Sequence, residues 1–300
     1  MNTILTKKLI AAVEILRPIN CIMGSLTVLI GILFSSPLSS LREQNSLHQI
    51  GIPIFIYILI AGASNAINDY FDIEIDKINR PKRPLPSNRL TMHDVKRIFY
   101  MLNLVALALT ILYFSFHPSA WYLIIIVICF EYVGYFYAKT GKKLGFLGNI
   151  MVGVSFSFGV VFGALCAVEF EQITINILWI FLTSFGLLVA RELVKGMEDL
   201  EGDRQFGIKT IANLFGDEYA SRIAQIFILI SIVALIQFIF TSDHTLSFGI
   251  FFLFSGTIVS IACFILLFMY KSMKPKTISI MLKGSGFLGI LGFFSLSLIL

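Results

Sequence analysis

Nine of the 18 acidic residues fall in two short windows, four in the first and five in the second. The first reads Asn68-Asp69-Tyr70-Phe71-Asp72-Ile73-Glu74-Ile75-Asp76, and the second runs from Arg191-Glu192 through Lys195, Glu198, Asp199 and Glu201 to Asp203. Asn68, Asp72 and Asp76 recur every four residues, as do Arg191, Lys195, Asp199 and Asp203. On a continuing helix each set forms one stripe that drifts about 40° per step. Both stripes begin where a long apolar run ends. Carboxylates there are costly unless paired or metal-bound, and a helix C-terminus is itself partly negative. Clustering them calls for a cation. Mg2+ is hard, takes oxygen ligands, and is usually held by one or two carboxylates plus substrate phosphates. The pattern therefore suits Mg2+ held around a diphosphate by Asp72, Asp76, Asp199 and Asp203, with Asn68 assisting. Arg191, Lys195 and the run Arg80-Pro81-Lys82-Arg83 supply cations for phosphate oxygens.

Those residues need elements to carry them. A spanning helix takes about 20 apolar residues, and nine such runs are found, at roughly 16–35, 50–70, 96–116, 119–138, 145–168, 172–194, 221–241, 247–270 and 277–300. Connections such as His117-Pro118-Ser119 are too short for anything but antiparallel neighbours. The expected architecture is an all-α, polytopic membrane bundle of nine transmembrane helices. Cap loops follow helices two and six, and 1–300 forms one membrane domain. Nine spans put 21 of the 23 basic residues on one side, with Arg42 opposite and Lys283 inside the last span. The positive-inside rule assigns that side to the cytoplasm, together with the N-terminus and both acidic windows. Lys7 and Lys8 precede a stretch interrupted by Glu14 and Arg17, which reads as an amphipathic leading helix running into the first span.

Composition agrees. Apolar residues make up 57% of the 300, charged residues 14%, and mean hydropathy is +0.87; soluble domains are about 25% charged. The net charge of +5 sits in short loops between spans, so its partners are lipid headgroups rather than nucleic acid. Cys21, Cys129, Cys166 and Cys263 are widely spaced in apolar runs and read as small buried helix residues.

Either acidic string alone reads equally well as a solvated helix end, and Lys195–Asp199 as an ordinary i,i+4 ion pair. Two strings on one membrane face, four helices apart, argue against that and hint at duplication of a four-helix unit. The segment 79–87 holds three prolines and cannot be helical throughout. It is either a basic connector or a lid over the diphosphate.

The two strings resemble those of the UbiA superfamily of intramembrane prenyltransferases: Asn68-xxx-Asp72-xxx-Asp76 is similar to the family's first Asp-rich motif and Asp199-xxx-Asp203 to its second. Gly202-Asp203-Arg204 and Gly207-Ile208-Lys209-Thr210 fit the usual continuation. Leu16-Arg17-Pro18-Ile19-Asn20-Cys21 and Asn79-Arg80-Pro81-Lys82-Arg83-Pro84-Leu85-Pro86 are most similar to the archaeal branch, which builds the double ether core of archaeal lipids. The resemblance implies geranylgeranyl diphosphate as donor, geranylgeranylglyceryl phosphate as lipid-phosphate acceptor, Mg2+ as cofactor, and Arg17, Asn20, Tyr137, Lys139 and Asn149 among the substrate contacts. The acceptor's own phosphate needs a basic site of its own, for which Arg17, Lys139, Lys142 and Lys143 are candidates.

Rival readings are weaker. A transporter would place ionisable residues at the midplane of its helices, where this chain has chiefly Glu131 and Lys283. A phosphatidyltransferase would carry Asp-Gly followed by Ala-Arg, which neither window contains. Prenyl transfer to an aromatic acceptor, a quinone precursor or haem, would use the same diphosphate motifs, and fold-level likeness does not choose between acceptors.

Overall fold

Helices account for most of the chain in this computed structural model, which describes residues 2–36, 48–200, 209–242, 248–269 and 274–299; no strand occurs among them. In chain order they are α1 (Asn2–Ile15), α2 (Pro18–Ser35), α3 (His48–Phe71), α4 (Ile73–Asn79), α5 (Met92–Phe116), α6 (Tyr122–Lys139), α7 (Phe146–Ala167), α8 (Ile175–Glu198), α9 (Ile211–Phe215), α10 (Asp217–Thr241), α11 (Phe248–Phe268) and α12 (Pro275–Ser297). Among the described residues nine of these are long and apolar enough to cross a membrane, the number expected. Large apolar side chains point outward along them, Phe240 being 82% exposed, as lipid-facing surfaces require. The chain packs as two units, Met1–Val28 with Ser46–Thr140 and Leu29–Asn45 with Gly141–Leu300.

In the first unit α3 packs against α5 and α6. The leading helix does not run into the first span as expected. It stops at Ile15, and Arg17 takes φ +53° before Pro18 opens α2. The cause is Pro18, whose ring disfavours helical backbone at the residue before it. The proline-rich segment is a connector of a particular kind, a series of turns pinned by its own apolar residues. Leu85 and Leu90 are buried with Ala11, Ile15, Ala66 and Val95. Arg89 forks onto Glu14 at 2.5 and 2.9 Å and donates to the Lys82 carbonyl at 2.7 Å. The hydrogen-bonded Arg89 guanidinium holds the Glu14 carboxyl below its ordinary range. This clasp is therefore complete above the ordinary carboxylate pKa and is lost as pH falls through the depressed one. Asp94 completes a capping box with Thr91 and pairs with Lys8 at 2.8 Å.

In the second unit α8 is central, packing on α7, α10 and α12, while α11 pairs with α12. Small residues bring these helices close, as membrane packing favours. A Cβ on Gly186 would lie 2.5 Å from the Phe227 carbonyl oxygen. Ser231 donates to the Thr183 carbonyl at 2.8 Å, and the Ser260 and Ser285 hydroxyls pair at 2.7 Å.

Three cysteines are buried as expected, but Cys129 is exposed, on the outward face of α6. Lys283 is exposed, its long stem suited to reach toward the interface. Glu131 Oε1 is buried and has no hydrogen-bond partner among the described residues, which nothing else in the fold explains.

Gly186→Ala should lower the melting temperature in detergent, at a cost of about 1–3 kcal/mol for overpacking. Gly284→Ala, whose Cβ would meet nothing within 4 Å, should leave melting unchanged or raise it, because alanine is the better helix former.

Candidate active site

The first acidic window straddles a break. The helix α3 ends at Phe71, Asp72 takes φ −92° and ψ 6°, and α4 resumes at Ile73. The four-residue stripe survives, because its backbone bonds do. The Asp72 N–H donates to the Asn68 carbonyl at 3.0 Å, Asp76 to Asp72 at 2.8 Å, and Arg80 to Asp76 at 2.8 Å. The Asn68 amide also donates to Asp72 Oδ2 at 2.9 Å, fixing that carboxylate beside it.

The second window repeats this local geometry. Helix α8, like α3, has 24 residues and ends immediately before an aspartate. Asp199 takes φ −93° and ψ 14°, and its N–H donates to the Lys195 carbonyl at 3.0 Å. Two independent helices thus present a carboxylate from the same kind of turn. Asp203, with Gly202, Arg204, Gly207 and Ile208, lies outside the described residues.

The side chains are arranged differently in the two windows. In the first, Asp69 is 2% exposed and accepts from the Arg17 guanidinium and from Arg83 Nη1 at 3.1 Å. The same Arg83 nitrogen donates to Asp76 Oδ2 at 2.6 Å, so one guanidinium bridges two carboxylates. Sequence reasoning missed Asp69 as a site residue. The signal was the interval of seven from Asp69 to Asp76, which on a helix shares a face, and the four-residue stripe masked it. Arg80 is exposed and makes no ion pair among the described residues. Asn20 is exposed at the start of α2, Tyr137 is half-buried, and Lys139 is exposed with its ammonium 5.7 Å from the Tyr135 ring centre.

In the second window Glu192 takes both neighbouring cations, Arg191 Nη1 at 2.9 Å and Lys195 Nζ at 3.5 Å. Lys195 therefore pairs with the residue three positions back rather than with Asp199, which is exposed. Glu192 is the second residue the stripe did not reveal; its i,i+3 relation to Lys195 was the available signal. Arg191 Nε is buried with no hydrogen-bond partner among the described residues. Lys142 and Lys143 lie in the short turn Gly141–Leu144, and Asn149 is half-buried in the first turn of α7. That turn begins at Gly145, φ +63°, where a Cβ would strike the Lys209 carbonyl oxygen at 2.1 Å.

Each window by itself carries donors that suit Mg2+ and a diphosphate. The carboxylate oxygens are hard ligands, Asp199 is open to solvent, and Arg191 holds a buried N–H donor with no acceptor among the described residues. Among the described residues no three Asp, Glu, His or Cys side chains converge as an ion cage.

Comparison with known proteins gives the same direction. The UbiA prenyltransferase family pattern matches residues 26–289. A digeranylgeranylglyceryl phosphate synthase of Korarchaeum cryptofilum is 32% identical over 286 residues, 95% of this chain and 96% of its own length. One of Methanosarcina barkeri is 34% identical over 73% of this chain and 76% of that protein. A solved structure of digeranylgeranylglyceryl phosphate synthase shares the fold, with TM-score 0.77, 26% identity, and coverage of 98% of this chain and 99% of that one. A UbiA homologue of Archaeoglobus fulgidus bound to DMAPP and Mg2+ shares it more distantly, with TM-score 0.66, 16% identity, and coverage of 96% and 99%. The acidic turns, the nine spans and a match running nearly end to end agree: the chain belongs to the UbiA prenyltransferase family.

Proposed function

We propose that the protein transfers a geranylgeranyl group from geranylgeranyl diphosphate to geranylgeranylglyceryl phosphate in a Mg2+-dependent reaction that builds the second ether of an archaeal membrane lipid. The observation that carries prenyl transfer is the pair of matched turns presenting Asp72 and Asp199. The choice of acceptor is supported by the similarity to digeranylgeranylglyceryl phosphate synthases over nearly the whole chain.

Asp72, Asp76, Asp199 and Asp203 are the metal ligands in this reading, and the Asn68 amide orients Asp72. Bound Mg2+ supplies electrostatic stabilisation of the diphosphate as negative charge develops on it. Arg80, Arg83, Lys195 and Arg191 donate to its oxygens, Arg191 through the N–H that has no partner among the described residues. The allylic C1–O bond breaks with its electron pair leaving on the diphosphate. The acceptor hydroxyl forms the new C1–O bond, and its proton departs with the diphosphate or to water. Apolar helices keep water from the electron-poor C1, and Tyr137 offers it an aromatic face. The guanidinium of Arg17 is already on Asp69, so Lys139, Lys142 and Lys143 are the favoured cations for the acceptor phosphate.

Orientation follows from charge. The N-terminus, the loop after α3 and the segment after α8 are cytoplasmic by the basic-residue bias. In a cysteine-free background, Lys143→Cys should react with an impermeant maleimide only from the cytoplasmic side, and Ser119→Cys only from the opposite side. The reverse pattern would invert the topology.

Labelled geranylgeranyl diphosphate, supplied with Mg2+ and either geranylgeranylglyceryl phosphate or 4-hydroxybenzoate, tests the reaction. A double-chain ether that EDTA abolishes is the expected product, while transfer to the aromatic acceptor alone would overturn the acceptor assignment. Asp72→Ala and Asp199→Ala should each reduce turnover by at least about a hundredfold, the scale of losing one strong electrostatic contact, with melting unchanged. A fully active Asp72→Ala protein would refute the metal assignment.

A further inference from the structure

Arg83 holds a position that its role as a phosphate donor does not explain. Its Nη1 lies 2.6 Å from Asp76 Oδ2, an oxygen that the proposed function assigns to the metal, and 3.1 Å from Asp69 Oδ1. Its side chain is 18% exposed, and those of Asp69 and Asp76 are 3% and 7% exposed, so water contributes little to neutralising either carboxylate. The backbone beneath it is held by the turn, with the Arg83 N–H on the Arg80 carbonyl at 3.0 Å and the Ser87 N–H and hydroxyl on the Arg83 carbonyl at 3.0 and 2.6 Å. Leu85 and Leu90 then anchor the turn in the core beneath α1. These contacts restrain the backbone and leave the Arg83 side chain as the part able to move. Among the described residues Asp69, unlike Asp76, has a second cation, Arg17, which keeps a positive charge on it when Arg83 moves.

We propose that Arg83 is a stand-in cation for the first acidic motif. Without substrate it neutralises Asp76. When Mg2+ takes Asp76, Arg83 releases that oxygen while staying within reach of Asp69, and turns its freed donors to the diphosphate. Asp69 is then a positioning residue, since it keeps two guanidinium groups at the site while its own burial denies it to the ion.

The charge balance explains why this matters. Asp69 and Asp76 with Arg17 and Arg83 form a set of two negative and two positive groups. A divalent ion entering alone must displace Arg83 from Asp76 and then faces its positive charge, whereas an incoming diphosphate gives the displaced guanidinium an anion to bind. Arg83 thus disfavours metal alone and favours metal with diphosphate, a coupling that thermodynamics makes reciprocal between the two ligands. This inference rests on the proposed function, and it gives the same residue opposite effects on the two halves of the substrate complex.

The test reads binding rather than turnover. Mn2+ is titrated into the purified full chain and free ion is followed by electron paramagnetic resonance, without and with a non-reactive geranylgeranyl diphosphate analogue. Arg83→Gln should bind Mn2+ alone more tightly, by about fivefold or more if the coupling has the usual size, yet bind the analogue more weakly in the presence of Mn2+. Arg83→Lys, whose single ammonium cannot bridge both carboxylates as the guanidinium does, should shift in the same direction by less, and it serves if the glutamine variant does not fold. Unchanged or weakened Mn2+ affinity in a variant that melts like the parent overturns the stand-in role. Mn2+ binding that is indifferent to Asp76→Asn is a separate failure, since it removes the metal from this motif and the proposed function's ligand set with it.

Discussion

The carboxylate of Asp69 is buried in the last turn of a membrane-spanning helix, and much of the first unit is arranged to neutralise it. An unpaired charge there would cost several kcal/mol. Two guanidinium groups reach it, and each constrains a different part of the chain. Arg17 comes from the break between α1 and α2, where Pro18 forces the backbone out of helix. Arg83 comes from the proline-rich connector, which must fold back onto α1 to deliver it. Buried leucines and the Arg89–Glu14 clasp hold that connector down. The ion-pair network thus joins the leading helix, the second span and the cap segment, and it sets the cationic surroundings of Asp76.

The two acidic turns share a second constraint. A carboxylate at a helix C-terminus opposes the helix dipole, so neither turn would be favoured without compensating positive charge. The compensation is built in two ways. At the first turn it is Arg83, on a separate segment; at the second, Arg191 and Lys195 come from the helix itself and share Glu192. The matched dihedrals of Asp72 and Asp199 present two carboxylates from the same kind of backbone turn, at the ends of helices of equal length.

Much of this was legible in the sequence, because spans and columns are properties of one helix at a time. Nine apolar runs and two four-residue stripes follow from periodicity, and Lys195, Asp72 and Asp199 stand out by type and spacing alone, whereas Arg17 entered as a site residue only through the family resemblance. What escaped were relations between segments. Nothing local pairs Asp69 with Arg17, 52 residues away, or says that Leu85 and Leu90 turn inward. The break at Arg17 was available from Pro18, but the apolar run on either side suggested continuity. Lys195 had two carboxylates at permitted helical spacings, Glu192 and Asp199, and only the fold chooses between them.

The proposed function assigns both acidic turns to one Mg2+–diphosphate group. Isothermal titration of a non-reactive geranylgeranyl diphosphate analogue in Mg2+, into the parent chain and into Asp72→Asn and Asp199→Asn separately, tests it most directly. Each substitution should weaken binding by at least about tenfold, the scale of damage to a metal site, with both variants melting like the parent. Full affinity in either variant would contradict the claim, leaving that turn outside the site and its resemblance to the other without a shared ligand.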